Sequence, residues 1–287
     1  FLDILGKSSI EEIQTGDSIE RRMAVLLTDI RERRMAVLFT DIRNFTAISE
    51  KMNSTDNFRF LNSYLKKMGP VILNNRGFID KFIGDAIMAL FPGDPVDAIH
   101  CAIKMRAKLK EFNEMRAAKG YAPIDMGIGI HYGSVMLGTV GSDVRLETTV
   151  IGDTVNLSSR LESLTKVYRS SILISGDLYN EVRDQITYRV REIDRVLVRG
   201  RSTVSEIYEI YETDTPETIE RKDANQELFR RAYELYRTGD FNASLQCFRE
   251  YQTLCPDDSV ASVYIQRCLK LADRNPRGWK GVVRLWD

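Results

Sequence analysis

Apolar positions along this chain fall into blocks with different spacings. Residues 35–42 form a dense apolar run closing on Thr40-Asp41, short enough to be a buried strand. The spacing of Phe58, Leu61, Tyr64, Leu65, Met68 and Ile72 predicts a helix over 57–73, capped by Ser54-Thr55-Asp56, kinked at Pro70 and closed by Gly77. Residues 78–83 and 86–91 are two short apolar runs around Gly84-Asp85, the pattern of a hairpin. A long amphipathic helix is expected over 95–119, ended by Gly120. Residues 125–130 and 134–140 alternate like paired strands about His131-Tyr132-Gly133. An extended 146–151, a helix over 152–167 and strands over 171–175, 189–198 and 204–211 follow. Helices beside a mainly antiparallel sheet, with βαβ followed by βαβ, imply an α+β domain of ferredoxin-like type.

Thr213-Asp214-Thr215-Pro216 marks a boundary, after which the pattern is purely helical. Ala232, Leu235, Gly239, Phe241, Ser244, Phe248, Tyr251 and Pro256 sit at the spacings of one tetratricopeptide unit, and a plain helical hairpin reads equally well. Either way, one such unit leaves a face uncovered, so 214–287 is expected to dock on the preceding domain or on another chain. Residues 21–32 (RRMAVLLTDIRE) are nearly repeated by 33–44 (RRMAVLFTDIRN). A local tandem duplication is the favoured reading, and an extra strand or hairpin ahead of the domain is the other. The divisions are then 1–32, 33–213 and 214–287.

The 287 residues, 43% apolar and 29% charged, describe an ordinary folded chain with room for two domains. No apolar run is long enough to span a bilayer and no signal peptide opens the chain. The 41 basic and 41 acidic residues cancel, which removes the field that would hold nucleic acid. Four sparse cysteines read as reduced thiols of a cytoplasmic protein. The chain opens at Phe1, which reads as part of something longer, with an upstream sensor.

Asp41 closes a buried strand and Asp85 sits at a hairpin tip. Each alone reads as a turn or cap residue. Together, at the ends of what should be adjacent strands, two carboxylates suit Mg²⁺, which takes one or two of them plus substrate phosphates and water. Residues 42–46 (IRNFT) then open a helix, whose free N–H groups at Phe45 and Thr46 suit a phosphate.

FTDIRNFTAISE, DKFIGDAIMALF and TTVIGDTVNLSSRLE resemble the three signature blocks of the class III nucleotidyl cyclase catalytic domain, a match covering about residues 33–212. The resemblance implies an adenylate cyclase that converts ATP to 3′,5′-cyclic AMP and pyrophosphate with two Mg²⁺ (or Mn²⁺) per site. It implies metal ligation by Asp41, Asp85 and the Ile42 carbonyl, purine reading by Lys81 and Thr149, and catalysis by Asn156 and Arg160. Arg199 or Arg201 falls where the family places a basic residue on the terminal phosphates. Lys81 and Thr149 favour ATP; a guanylate cyclase, or a catalytically silent regulatory module, are the alternatives. The family builds its site between two catalytic domains, so the chain is expected to form a homodimer. Asp29, in the first copy of the repeat, could pose as a ligand, but Arg31-Glu32-Arg33-Arg34 follow it where a phosphate-binding helix opening is needed. His131 belongs to none of these motifs and reads as a structural residue near a turn.

Overall fold

The computed structural model describes residues 31–142, 145–198, 204–274, 276 and 278–285. β1 (Arg31–Ile42) leads through α1 (Phe45–Ser49) and α2 (Ser54–Asn74) to a hairpin of β2 (Phe78–Ile83) and β3 (Ala86–Phe91). α3 (Val96–Ala117) then returns the chain to β4 (Met126–Ser142). These strands lie in the order β2-β3-β1-β4, each pair antiparallel. This is the ferredoxin-like order, with both helical crossovers on one face. β5 (Arg145–Ile151) folds back on β4 outside the main strand path. α4 (Asp153–Tyr168) crosses to β6 (Ile172–Ser175), which runs parallel to β4. α5 (Gly176–Val182), β7 (Val190–Val198) and β8 (Val204–Ile210) extend the sheet as β6-β8-β7. Among the described residues no helix is long and apolar enough to cross a membrane.

One expected break does not exist. Residues 125–140 are not two strands about a turn: β4 runs unbroken, with Val37, Ala36 and Met35 facing His131, Tyr132 and Gly133 in register. His131 is structural but sits mid-strand, 2% exposed, with Nδ1 2.7 Å from the Ser175 hydroxyl. Gly133 serves close packing instead of a turn, because a Cβ there would lie 2.7 Å from Thr154 Oγ1.

Past Ile210, α6 (Pro216–Ala224) starts with Pro216 behind a Thr215 cap, and α7 (Gln226–Thr238) and α8 (Phe241–Leu254) form a helical hairpin turned at Gly239. α9 (Ser259–Arg274) follows, and the tail ends in a feature that the periodicity missed, β9 (Val283–Leu285), paired parallel with β7. Three residues are too few to show an alternation.

The apolar interior falls into two main parts. One fills the space between the central strands and α2 and α3, with Tyr64, Met68 and Ile72 fully buried. The other joins Leu157, Leu161, Leu164 and Tyr168 of α4 to Phe229, Tyr236, Phe248 and Tyr264 of the C-terminal helices. Charges are buried at the same junction. Arg191 on β7 pairs with Glu209 on β8 (2.5 Å) and with Asp258 ahead of α9 (2.6 Å), and Lys222 on α6 reaches Glu209 at 3.3 Å and Asp214 at 2.7 Å. Burial alone would raise the Glu209 and Asp258 carboxyls, but Arg191 and Lys222 outweigh it and hold both below the usual carboxylate range. Removing one member of such a pair strands a charge without solvent, which costs about 3–5 kcal/mol.

Candidate active site

β1 and β3 are hydrogen-bonded neighbours with Thr40 opposite Ile87, so the end of β1 lies beside the β2–β3 turn. That register brings Asp41 to Asp85. Asp85 Oδ2 accepts a 3.0 Å hydrogen bond from the Ile42 N–H. Its carboxyl is pushed up to about 7, first by burial, then by a hydrogen bond to Asp41 and by the Asp41 charge. The Asp41 charge beside it thus favours the protonated form of Asp85. An ammonium already answers that charge: Lys166 Nζ on α4 lies 2.6 Å from Asp41 Oδ2 and 3.7 Å from Glu162 Oε1. Burial opposes its charge, yet Asp41 and Glu162 prevail and raise the Lys166 pKa.

The two aspartates open on a cavity of about 740 Å³, lined also by Ile42 to Thr46, Asp125, Lys166 and Arg169. Asn44 is left-handed (φ 55°) and turns the chain into α1. The Phe45 ring stacks on Phe60 of α2 at 6.3 Å, so what Phe45 offers the cavity is its backbone. Among the described residues no group of three or more His, Cys, Asp or Glu forms a metal cage. Two adjacent carboxyls, with a cavity for phosphates and water beside them, fit Mg²⁺ or Mn²⁺ and do not fit a thiolate or imidazole metal.

A pH dependence follows. Below about pH 7 a cation must displace the Asp85 proton, so Mn²⁺ affinity falls by up to tenfold per pH unit on the acid side and levels off above. Titrating nucleotide-free protein with Mn²⁺ by electron paramagnetic resonance on both sides of neutrality tests this; a flat affinity would show that Asp85 holds no proton near neutrality.

The remaining sequence-predicted residues lie elsewhere. Lys81 on β2 places Nζ 3.4 Å from Asp80, a carboxylate only 9% exposed. Thr149 on β5 pairs with Gly138 of β4. Asn156 is exposed and Arg160 partly exposed on α4. Among the described side chains, Lys81, Asn156 and Arg160 do not line the Asp41–Asp85 cavity. Arg199, Arg201, Asp29 and nearly all of the first repeat copy lie outside the described residues.

Sequence reasoning missed Lys166, Glu162, Arg43 and Arg169. Glu162 and Lys166 carry the i,i+4 spacing of a surface ion pair, the one signal they gave. Arg43 is half-buried, its Nη2 donating to the Ser170 carbonyl at 3.0 Å, and burial lowers its pKa.

Comparison with known proteins agrees with this geometry. Residues 28–211 match the Adenylate and Guanylate cyclase catalytic domain family, and the chain belongs to it. An adenylate cyclase of Anabaena cylindrica is 42% identical over 216 residues, 73% of this chain and 41% of that protein. The terminal-differentiation-specific adenylate cyclase of Dictyostelium discoideum is 33% identical over 276 residues, 94% of this chain and 12% of that protein. The chain thus spans well under half the length of these relatives. Among solved structures, the adenylyl cyclase CyaB from P. aeruginosa superposes with TM-score 0.57 at 33% identity, covering 63% of this chain and 95% of that one. The guanylyl cyclase Cya2 superposes with TM-score 0.57 at 32% identity, over 65% and 96%.

Proposed function

We propose that residues 33–213 form the catalytic domain of an adenylate cyclase, followed by a helical segment over 214–287. The observation carrying this reading is the Asp41–Asp85 pair, brought together by the β1–β3 register and faced by a lysine ammonium at a cavity of about 740 Å³. Asp41, Asp85 and the Ile42 carbonyl would hold two Mg²⁺ or Mn²⁺. Such ions, when bound, neutralise the triphosphate and acidify the ribose 3′-hydroxyl.

The chain's own residues do the rest. The N–H groups of Phe45 and Thr46 meet a phosphate at the start of α1. Lys81 donates to an adenine ring nitrogen and Thr149 accepts from its amino group. Asn156 orients the ribose, and Arg160 supplies positive charge where negative charge builds on the α-phosphate. Arg199 or Arg201 meets the terminal phosphates. The 3′-oxygen bonds to the α-phosphorus, the bond to the bridging oxygen breaks, pyrophosphate leaves with that electron pair, and the hydroxyl proton passes to solvent or to a phosphate oxygen. Because Lys81, Asn156 and Arg160 are not among the described residues lining the aspartate cavity, the complete site in this reading belongs to a two-fold homodimer, each site drawing on both chains.

Purified protein incubated with ATP or GTP and Mg²⁺ or Mn²⁺ is expected to yield cyclic AMP. Cyclic GMP as main product would refute the Lys81–Thr149 assignment, and no cyclic product with either would refute the enzyme reading.

A further inference from the structure

The C-terminal helices do more at the junction than bury apolar surface. α4 is pressed between two layers. On its inner side it lies directly on the sheet: a Cβ at Gly129 of β4 would collide with the backbone of Glu162, Ser158 and Leu161. On its outer side Leu157, Leu161, Leu164 and Tyr168 share a core with α7, α8 and α9.

The last turn of α4 is then tied down by two polar chains. In the first, the buried Tyr168 hydroxyl donates to Asp194, a carboxylate on β7 with no solvent exposure. Arg267 of α9 closes the triangle, with Nη1 2.6 Å from Asp194 Oδ2 and Nη2 3.0 Å from the Tyr168 oxygen. The Arg267 guanidinium also lies 5.5 Å and 5.3 Å from the Tyr168 and Tyr264 ring centres. In the second, Ser170, two residues past α4, donates to Glu209 at 2.7 Å and so joins the Arg191–Lys222–Asp258 network, while its carbonyl accepts from Arg43, the neighbour of Ile42.

α4 is the helix that carries Asn156 near its start, Arg160 at its middle and Lys166, the ammonium on Asp41, near its end. A one-residue slip of a helix turns its side chains by about 100°. We infer that the C-terminal helices hold α4 in catalytic register, with Arg267 a positioning residue that acts through Asp194 and Tyr168. The inference rests on the catalytic reading of Asn156 and Arg160. The segment 214–287 is then part of the active-site scaffold, and whatever displaces α9 loosens α4.

The test uses the full chain with Arg267→Met, Arg267→Lys and Tyr168→Phe, the last removing one hydroxyl while leaving the Arg267–Asp194 pair in place. Amide hydrogen exchange across 160–168, the thermal midpoint, kcat and KM for ATP are measured, with kinetics well below each midpoint. Arg267→Met is expected to speed exchange in α4 about tenfold and to lower kcat about tenfold at little-changed KM, as for other residues that orient a catalytic group. Arg267→Lys should restore part of both, and Tyr168→Phe should shift both the same way by less. If Arg267→Met does not fold, Tyr168→Phe decides. A folded variant with wild-type kcat overturns the inference, whether or not its exchange or midpoint has moved, because a purely structural contact would do that. Should wild-type protein make no cyclic product, the proposed function fails, and unchanged α4 exchange in these variants would separately overturn the clamp.

Discussion

Asp41→Asn is expected to remove cyclic AMP formation by at least ~10²–10³-fold, the scale set by loss of one preorganised group that stabilises transition-state charge. Asp29→Asn is expected to retain activity. The contrast has a physical cause that the near-identical sequence around the two residues hides. Asp41 has Asp85 at its side, through the β1–β3 register, and the 42–46 turn after it. Asparagine preserves shape and an acceptor for Lys166 but removes the charge that a divalent cation needs. The same variant should also bring the Asp85 pKa down from about 7, since its two causes after burial are the hydrogen bond to Asp41 and the Asp41 charge. Loss of Mn²⁺ binding in the nucleotide-free variant, read by electron paramagnetic resonance, separates a broken metal site from a misfolded chain. Activity that survives Asp41→Asn and dies with Asp29→Asn would put the other repeat copy in the catalytic strand.

The ferredoxin-like core was legible because its elements announce themselves locally. The apolar block of β1, the Gly84-Asp85 turn and the 3.6-residue periodicity of α2 each need no knowledge of the rest of the chain. The aspartate pair was legible for a related reason: acidic residues at the ends of apolar strands are conspicuous, and neighbouring strands bring them together. Lys166 was not, because a lysine on a polar helix face looks solvated until the fold lays that face on Asp41, 125 residues earlier. Nor was the Arg267–Asp194–Tyr168 triangle, whose members are 73 and 99 residues from Arg267. His131-Tyr132-Gly133 misled for the opposite reason. Glycine there looked like a turn locally, whereas the demand on it comes from Thr154 packing across β4. What the sequence hid was tertiary in each case.

Mixing two inactive variants is expected to restore activity. In an Asp41→Asn chain the metal half is lost while Lys81, Thr149, Asn156 and Arg160 remain; an Arg160→Ala chain has the reverse defect. Asn156 and Arg160 are not among the described residues lining their own chain's aspartate cavity, and under the proposed function a second chain presents them to it. Two-fold symmetry then makes two identical composite sites. When the two variants exchange subunits at equal concentration, half the dimers are mixed, and each mixed dimer has one site with both halves intact and one with neither. Activity per chain should therefore recover to about one quarter of wild type, and mixed dimers isolated through two different tags should reach about one half. If each chain instead folded its arginine onto its own aspartates, every site would carry one lesion and the mixture would show only the sum of its inactive parents. Replacing Arg160→Ala with Lys81→Ala as the partner to Asp41→Asn should complement equally well, since both residues belong to the same half. Pairing Asp41→Asn with Asp85→Asn should restore nothing, because both lesions fall in the half that holds the metal.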